Sequence, residues 1–154
     1  MRRDYFTLTV DGASGEGARR PVVTIDYEGP ANQLETRMTK GGSLLGDDEV
    51  DVGYRLQDSS EGGREEDAGG VLAIADRVTG EYVLELNAEA DNVFALVEAA
   101  KEYGQTADAE DRYRIVLESG GDHLATYDKS TLLVYNHEGE LLRSRSLIPS
   151  GVEL

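Results

Sequence analysis

Four arginines in the last third of the chain have a spacing suited to anion chemistry. Arg112 and Arg114 alternate along one expected strand, residues 112–118, and Arg143 and Arg145 along another, residues 141–147. Alternate residues of a strand share a face, so each pair presents two guanidiniums side by side. Lys129 opens the strand between them. Gathered on one sheet, the five residues make a basic face suited to phosphate or carboxylate recognition. The plainer reading makes them ordinary exposed positions, paired with Glu118, Asp128 and Glu140.

Three other groupings are weaker. Asp47-Asp48-Glu49-Val50-Asp51 has the oxygen ligands that hard cations take. It lacks the alternate ligand positions, central glycine and closing glutamate of a helix-loop-helix calcium loop, so we read it as solvated surface. Gly12, Gly15 and Gly17 form a glycine-rich stretch, but a phosphate cradle needs a following helix N-terminus and often a lysine. This loop joins two expected strands and carries Glu16 instead. His123 and His137 sit beside expected hairpin turns, with no Gly-x-Ser-x-Gly elbow and no His-Glu-x-x-His pair in the chain. The chain has no cysteine, which removes thiol nucleophiles, thiolate metal sites and disulfides. We assign no catalytic residue, no metal ligand and no cofactor from the sequence.

The elements that must position these side chains are organised around residues 70–117. Apolar runs over 70–78 and 81–86 flank Thr79-Gly80, a hairpin turn. Asn87 reads as the N-cap of a helix over 88–103 that stops at Gly104. The helix gathers Val93, Leu96, Val97, Ala100 and Tyr103 into one apolar stripe. Strands are expected over 3–10, 21–28 and 49–57, with a short helical stretch over 30–38 held by Leu34 and Met38. After the long helix, 112–118 pairs with 122–127 around Gly120-Gly121, and 131–136 with 141–147 around residues 137–140. These segments read as a four-strand antiparallel meander. The expected fold is α+β, mainly antiparallel sheet of about eight or nine strands with one long amphipathic helix packed on it. A single domain over 1–154 is expected, with 57–70 a flexible loop, acidic and rich in glycine.

Charge sets the environment. Asp and Glu number 31 against 15 Lys and Arg, a net charge of −16, and the only lysines are Lys40, Lys101 and Lys129. The acids are dispersed over loops and along the helix (Glu89, Asp91, Glu98, Glu102) and form no tail. At molar salt the Debye length is about 3 Å, so such a surface hardly repels itself. In dilute buffer it repels itself strongly. The composition predicts a salt-loaded cytoplasm. Residues 5–10 alternate with threonine where an export signal would be continuously apolar, and no stretch is long enough to span a bilayer. A cytoplasmic protein without a membrane partner is therefore expected. Nucleic acid is disfavoured because the net field repels phosphate. A protein partner, or self-association through an unpaired strand edge, is the expected alternative.

Longer matches of residue string carry a resemblance. Met1-Arg2-Arg3-Asp4-Tyr5-Phe6-Thr7-Leu8, Tyr54-Arg55-Leu56-Gln57-Asp58, Val78-Thr79-Gly80-Glu81 and Ser146-Leu147-Ile148-Pro149-Ser150-Gly151-Val152-Glu153-Leu154 look like a family of small haloarchaeal proteins of unknown function. The resemblance spans nearly the whole chain. It implies a cytoplasmic protein of a halophilic archaeon, and it brings no activity, cofactor or site residue. The leading expectation is a non-catalytic binding or interaction module using the basic face. The alternative is a small-ligand-binding protein or enzyme with a pocket between helix and sheet, where Asp26, Asp51 or Asp76 converge. The apolar end, 146–154, is expected to fold back onto the sheet.

Overall fold

The computed structural model describes residues 3–11, 20–30, 32–57, 69–107 and 111–148, with the side chains of 3 and 105–107 excepted. The chain runs through β1 (Phe6–Asp11), β2 (Val22–Tyr27), α1 (Gln33–Met38), β3 (Thr39–Lys40), β4 (Ser43–Leu44), β5 (Val50–Leu56), β6 (Gly69–Asp76) and β7 (Tyr82–Glu89). It continues through α2 (Ala90–Ala107), β8 (Tyr113–Ser119), β9 (Asp122–Lys129) and β10 (Leu133–Tyr135). The expected loop over 57–70 falls mostly outside the described residues, as do the glycine-rich stretch 12–17 and the chain end from 149.

Period-two alternation builds the core. Val23, Ile25 and Tyr27 of β2, Val50, Val52, Tyr54 and Leu56 of β5, and Tyr113, Ile115 and Leu117 of β8 all turn inward and are buried. Leu34 and Met38 of α1 and Val93, Leu96, Val97 and Ala100 of α2 join the same cluster. Each such side chain withdrawn from water contributes about 1.5–3 kcal/mol before chain entropy is counted. The amphipathic stripe of α2 therefore meets the core, as its spacing predicts.

Most strand pairs among the described residues are antiparallel, as expected, but each of the two four-stranded sheets also holds a parallel pair. One has the order β1-β2-β8-β9, the other β10-β5-β6-β7, and β3-β4 is a separate two-stranded ribbon. The hairpin pairs are antiparallel, but β2 runs parallel to β8 and β10 parallel to β5. Both parallel pairs join segments distant in sequence, so no local turn signal announces them.

The C-terminal meander is replaced. β8 and β9 stay in the first sheet, and β10 crosses to the second. Lys129, at the end of β9, donates to the carbonyls of Asp47 at 2.7 Å and Val50 at 2.6 Å. That anchor delivers the outgoing chain to the edge of β5. Residues 141–147 form no strand. Arg143–Arg145 is a 3-10 turn, held to β10 by bridges from Leu141 to Tyr135 and Leu147 to Leu132. Buried Ser146 locks it, its Oγ donating to Leu142 O at 2.8 Å and accepting from Val134 N at 2.9 Å.

The helix boundaries also shift. Asn87 is a strand residue and α2 begins at Ala90, because Leu84, Leu86 and Ala88 keep pairing inward against Ile74, Leu72 and Gly70. Continued sheet pairing outweighs one side-chain cap. Gly104 lies inside the helix, where the Arg112 guanidinium fills the space a side chain would occupy.

Candidate functional site

The five basic residues singled out above do not share a sheet face. Arg114 stands directly opposite Asp128 on the outer face of the first sheet, Nε to Oδ1 2.8 Å, and Arg20 reaches the same oxygen at 2.9 Å. This pairing holds the Asp128 carboxyl below the usual carboxylate range and raises Arg114. Arg112 precedes β8 and packs on Gly104, with a buried Nε that has no hydrogen-bond partner among the described residues. Lys129 is buried, and desolvation lowers its pKa. Arg143 and Arg145 ride on the 3-10 turn, with the Arg145 guanidinium 4.3 Å above the Phe94 ring of α2. Lys101 of α2 donates to Ser144 O at 3.1 Å, so Lys101 joins Arg143 and Arg145 at this turn, while Arg114 stands on β8.

The other candidates also disperse. Glu49 turns back to accept from Gly46 N at 2.9 Å, and Asp51 holds Arg77 through both Nε and Nη2. His123 meets Thr126 Oγ1 at 2.7 Å, and His137 lies 3.6 Å from Glu138. Asp26 accepts from Gly121 N at 3.2 Å, while Asp76 holds Lys40 at 2.6 Å and caps Val78 N at 2.8 Å. Asp26, Asp51 and Asp76 thus serve three separate contacts.

What the structure does assemble is a groove of about 710 Å³ on the outer face of the second sheet. Its floor is Gly53 of β5 in register with Ala73 of β6, with Ala75 two residues further along β6. One wall is Tyr82 and Glu85 of β7, opposite Ala75 and Ala73, and the other is Leu133 and Tyr135 of β10, beside Gly53 and Arg55. Strands lie about 4.8 Å apart, so roughly 14 Å separate β10 from β7. Side chains no larger than methyl at the centre leave that width open. Arg55 sits at one end, its Nη2 donating to His137 O at 2.9 Å. The Arg77–Asp51 pair stands at the other, beside the inward-drawn Lys129.

The same sheet is braced from behind. Tyr54 passes over Gly70 and donates to Ala88 O at 2.8 Å, tying β5 to β7 across β6. Burial raises its pKa, so it stays a donor. Arg37 of α1 occupies the Tyr82 and Val83 carbonyls at 2.8 and 2.7 Å, covering the β7 edge. Leu142 N bonds Val134 O at 2.8 Å and covers the β10 edge. Sheet extension by a second chain is therefore obstructed at both ends of this sheet.

The groove was not among the sequence candidates, yet a signal for it exists. Residues 70–75 are apolar at every position, where a sheet with one wet face would alternate. Val71 is 6% exposed although it belongs to the outer face and not to the core cluster.

The model of a family of unknown function, DUF5793, matches residues 1–154. The chain belongs to this family. No curated protein and no solved structure matches it. For this DUF5793 chain no helix among the described residues is long and apolar enough to cross a membrane. Its function has to be argued from the groove.

Proposed function

We propose that this protein is a non-catalytic binding module whose site is the outer groove of the second sheet, and that it takes a small amphipathic molecule there. The observation that carries the reading is the groove itself. At about 710 Å³ it falls within the range of roughly 300–1,000 Å³ typical of small-molecule sites. Apolar floor and polar rim together suit a ligand with both kinds of surface. The site lies on the sheet face away from the core, not between helix and sheet. The environment is the cytoplasm of a halophilic archaeon, a reading supported by the net charge of −16 and the scarcity of lysine.

The test is to fill the floor. Ala73→Trp places an indole at the centre of the groove while leaving the core side of β6 untouched. N-phenyl-1-naphthylamine, a neutral probe whose fluorescence rises in apolar sites, should bind the native protein in molar KCl and fail to bind the variant. Equal binding by both proteins, with both folded by circular dichroism, rejects the groove as the site.

A second reading rests on the turn that gathers Arg143, Arg145 and Lys101 on an acidic chain, with Arg145 over the Phe94 ring and Lys101 held by Ser144 O and Glu98. It makes the protein an adaptor for another protein. The double substitution Arg143→Ser with Arg145→Ser should then remove one defined band from a native high-salt pull-down. An unchanged band pattern rejects it.

A further inference from the structure

We infer that the groove selects an organic anion with a flat ring body, and that Arg55 is the residue that reads its acid group. The inference rests on the groove being the binding site and goes on to name the ligand class.

Shape supplies the first argument. Gly53, Ala73 and Ala75 lie side by side across two strands and form a floor without projecting side chains. Tyr82 flanks it on one side and Tyr135 on the other. A low, wide slot with apolar floor and aromatic flanks fits a planar ring system better than a branched aliphatic one, because flat faces keep contact over their whole area.

Charge supplies the second. The chain carries −16, yet the groove is lined by Arg55, Arg77 and Lys129 against Asp51 and Glu85. The local balance is thus opposite in sign to the rest of the surface. Two of the three cations are committed. Arg77 is held by Asp51 through two nitrogens, and Lys129 donates to two backbone carbonyls. Arg55 is different. It is exposed, and its one hydrogen bond among the described residues runs from Nη2 to the carbonyl of His137, beside Gly139 on the groove rim. A guanidinium has five N–H donors in a rigid plane, so a group fixed at one corner keeps a fork that can address a carboxylate, sulfonate or phosphate oxygen pair. The bond to His137 O restricts the rotamers and so lowers the ordering cost of that contact.

The experiment uses two probes of the same ring skeleton. 1-Anilinonaphthalene-8-sulfonate carries a sulfonate, and N-phenyl-1-naphthylamine is its uncharged counterpart. Titrations in molar KCl leave only contact-distance pairing, since the Debye length there is about 3 Å. The native protein should bind the sulfonate about tenfold or more tightly than the neutral amine, the factor expected of one charge-assisted hydrogen bond. Arg55→Gln should erase that preference while neutral-probe affinity stays within about twofold, and Arg55→Lys should keep part of it. Arg55 is exposed, and circular dichroism melts of both variants check that the sheet is intact. Equal affinity of the native protein for the two probes overturns the inference and leaves the groove reading standing, as does an unchanged preference in Arg55→Gln. Retention of both probes by Ala73→Trp overturns the groove reading and this inference with it.

Discussion

Replacing Gly70 by alanine should loosen the second sheet from its inner side. A Cβ at this position would lie 2.5 Å from both Cζ and Oη of Tyr54 and 2.6 Å from the Arg55 carbonyl oxygen. Comfortable carbon contacts begin near 3.5 Å, so three atoms have to move. The ring can swing, but the carbonyl belongs to a paired strand and cannot. Overpacking of this kind costs about 1–3 kcal/mol. Displacing the ring also breaks the Tyr54–Ala88 hydrogen bond of 2.8 Å, worth about 1 kcal/mol. The backbone entropy saved by removing a strand glycine offsets about 0.5–1 kcal/mol. The net loss is roughly 1–3.5 kcal/mol, which for a chain of this length lowers Tm by roughly 2–14 °C. Thermal and urea unfolding in molar KCl, followed by circular dichroism, reads it. The same substitution in a Tyr54→Ala background should cost clearly less, because only the carbonyl clash remains. A Gly70→Ala protein that melts like the native one refutes the packing argument. So does full additivity of the two changes, which would deny that ring and glycine are coupled.

Three further expectations follow from the buried tyrosines and the charges. Tyr127, whose pKa burial pushes up to about 12, has a hydroxyl with no hydrogen-bond partner among the described residues. Tyr127→Phe should therefore be neutral or stabilise by about 1 kcal/mol. Tyr113→Phe, which loses a 2.8 Å bond to Thr131 O, should destabilise by about 1 kcal/mol, and a reversed order in urea midpoints refutes the assignment. Lys40 and the amides of Val78 and Thr79 hold the Asp76 carboxyl below its usual range, and Arg114 does the same for Asp128. The fold prefers both ionised, so their contribution is complete above the ordinary carboxyl pKa of about 3.9 and drains as pH falls through the lowered values. In molar KCl, Asp76→Asn should flatten that acid-side loss, and identical pH profiles of urea midpoints would count against it. Finally, cooperative folding should fade as KCl falls well below molar, because a net −16 is then unscreened. A Tm indifferent to salt ends that argument.

By itself the sequence determined most of the strands and the long helix, though not residues 141–147, which form no strand, nor 87–89, which extend β7 where a helix start was expected. Alternation in 22–27 and 50–56 and the 93-96-97-100 stripe are local signals, since period two and period 3.6 each put a recurring apolar residue on one side. The charge also needs no fold to be read. Tertiary structure alone decided how the strands are ordered, because the parallel pairs β2–β8 and β10–β5 join distant segments, the second next to the Lys129 contact with Asp47 and Val50. It likewise decided the fate of the arginines. Alternation promised two basic strand faces, but Arg143 and Arg145 fall on a turn closed by Ser146, and Arg114 spends its charge on Asp128. The groove belongs to the same class. Gly53, Ala73, Tyr82 and Tyr135 are unremarkable singly and scattered along the chain, and only sheet register sets them across from one another. A surface made by lateral pairing is a property of strand neighbours, and neighbours are what a linear order of residues leaves open.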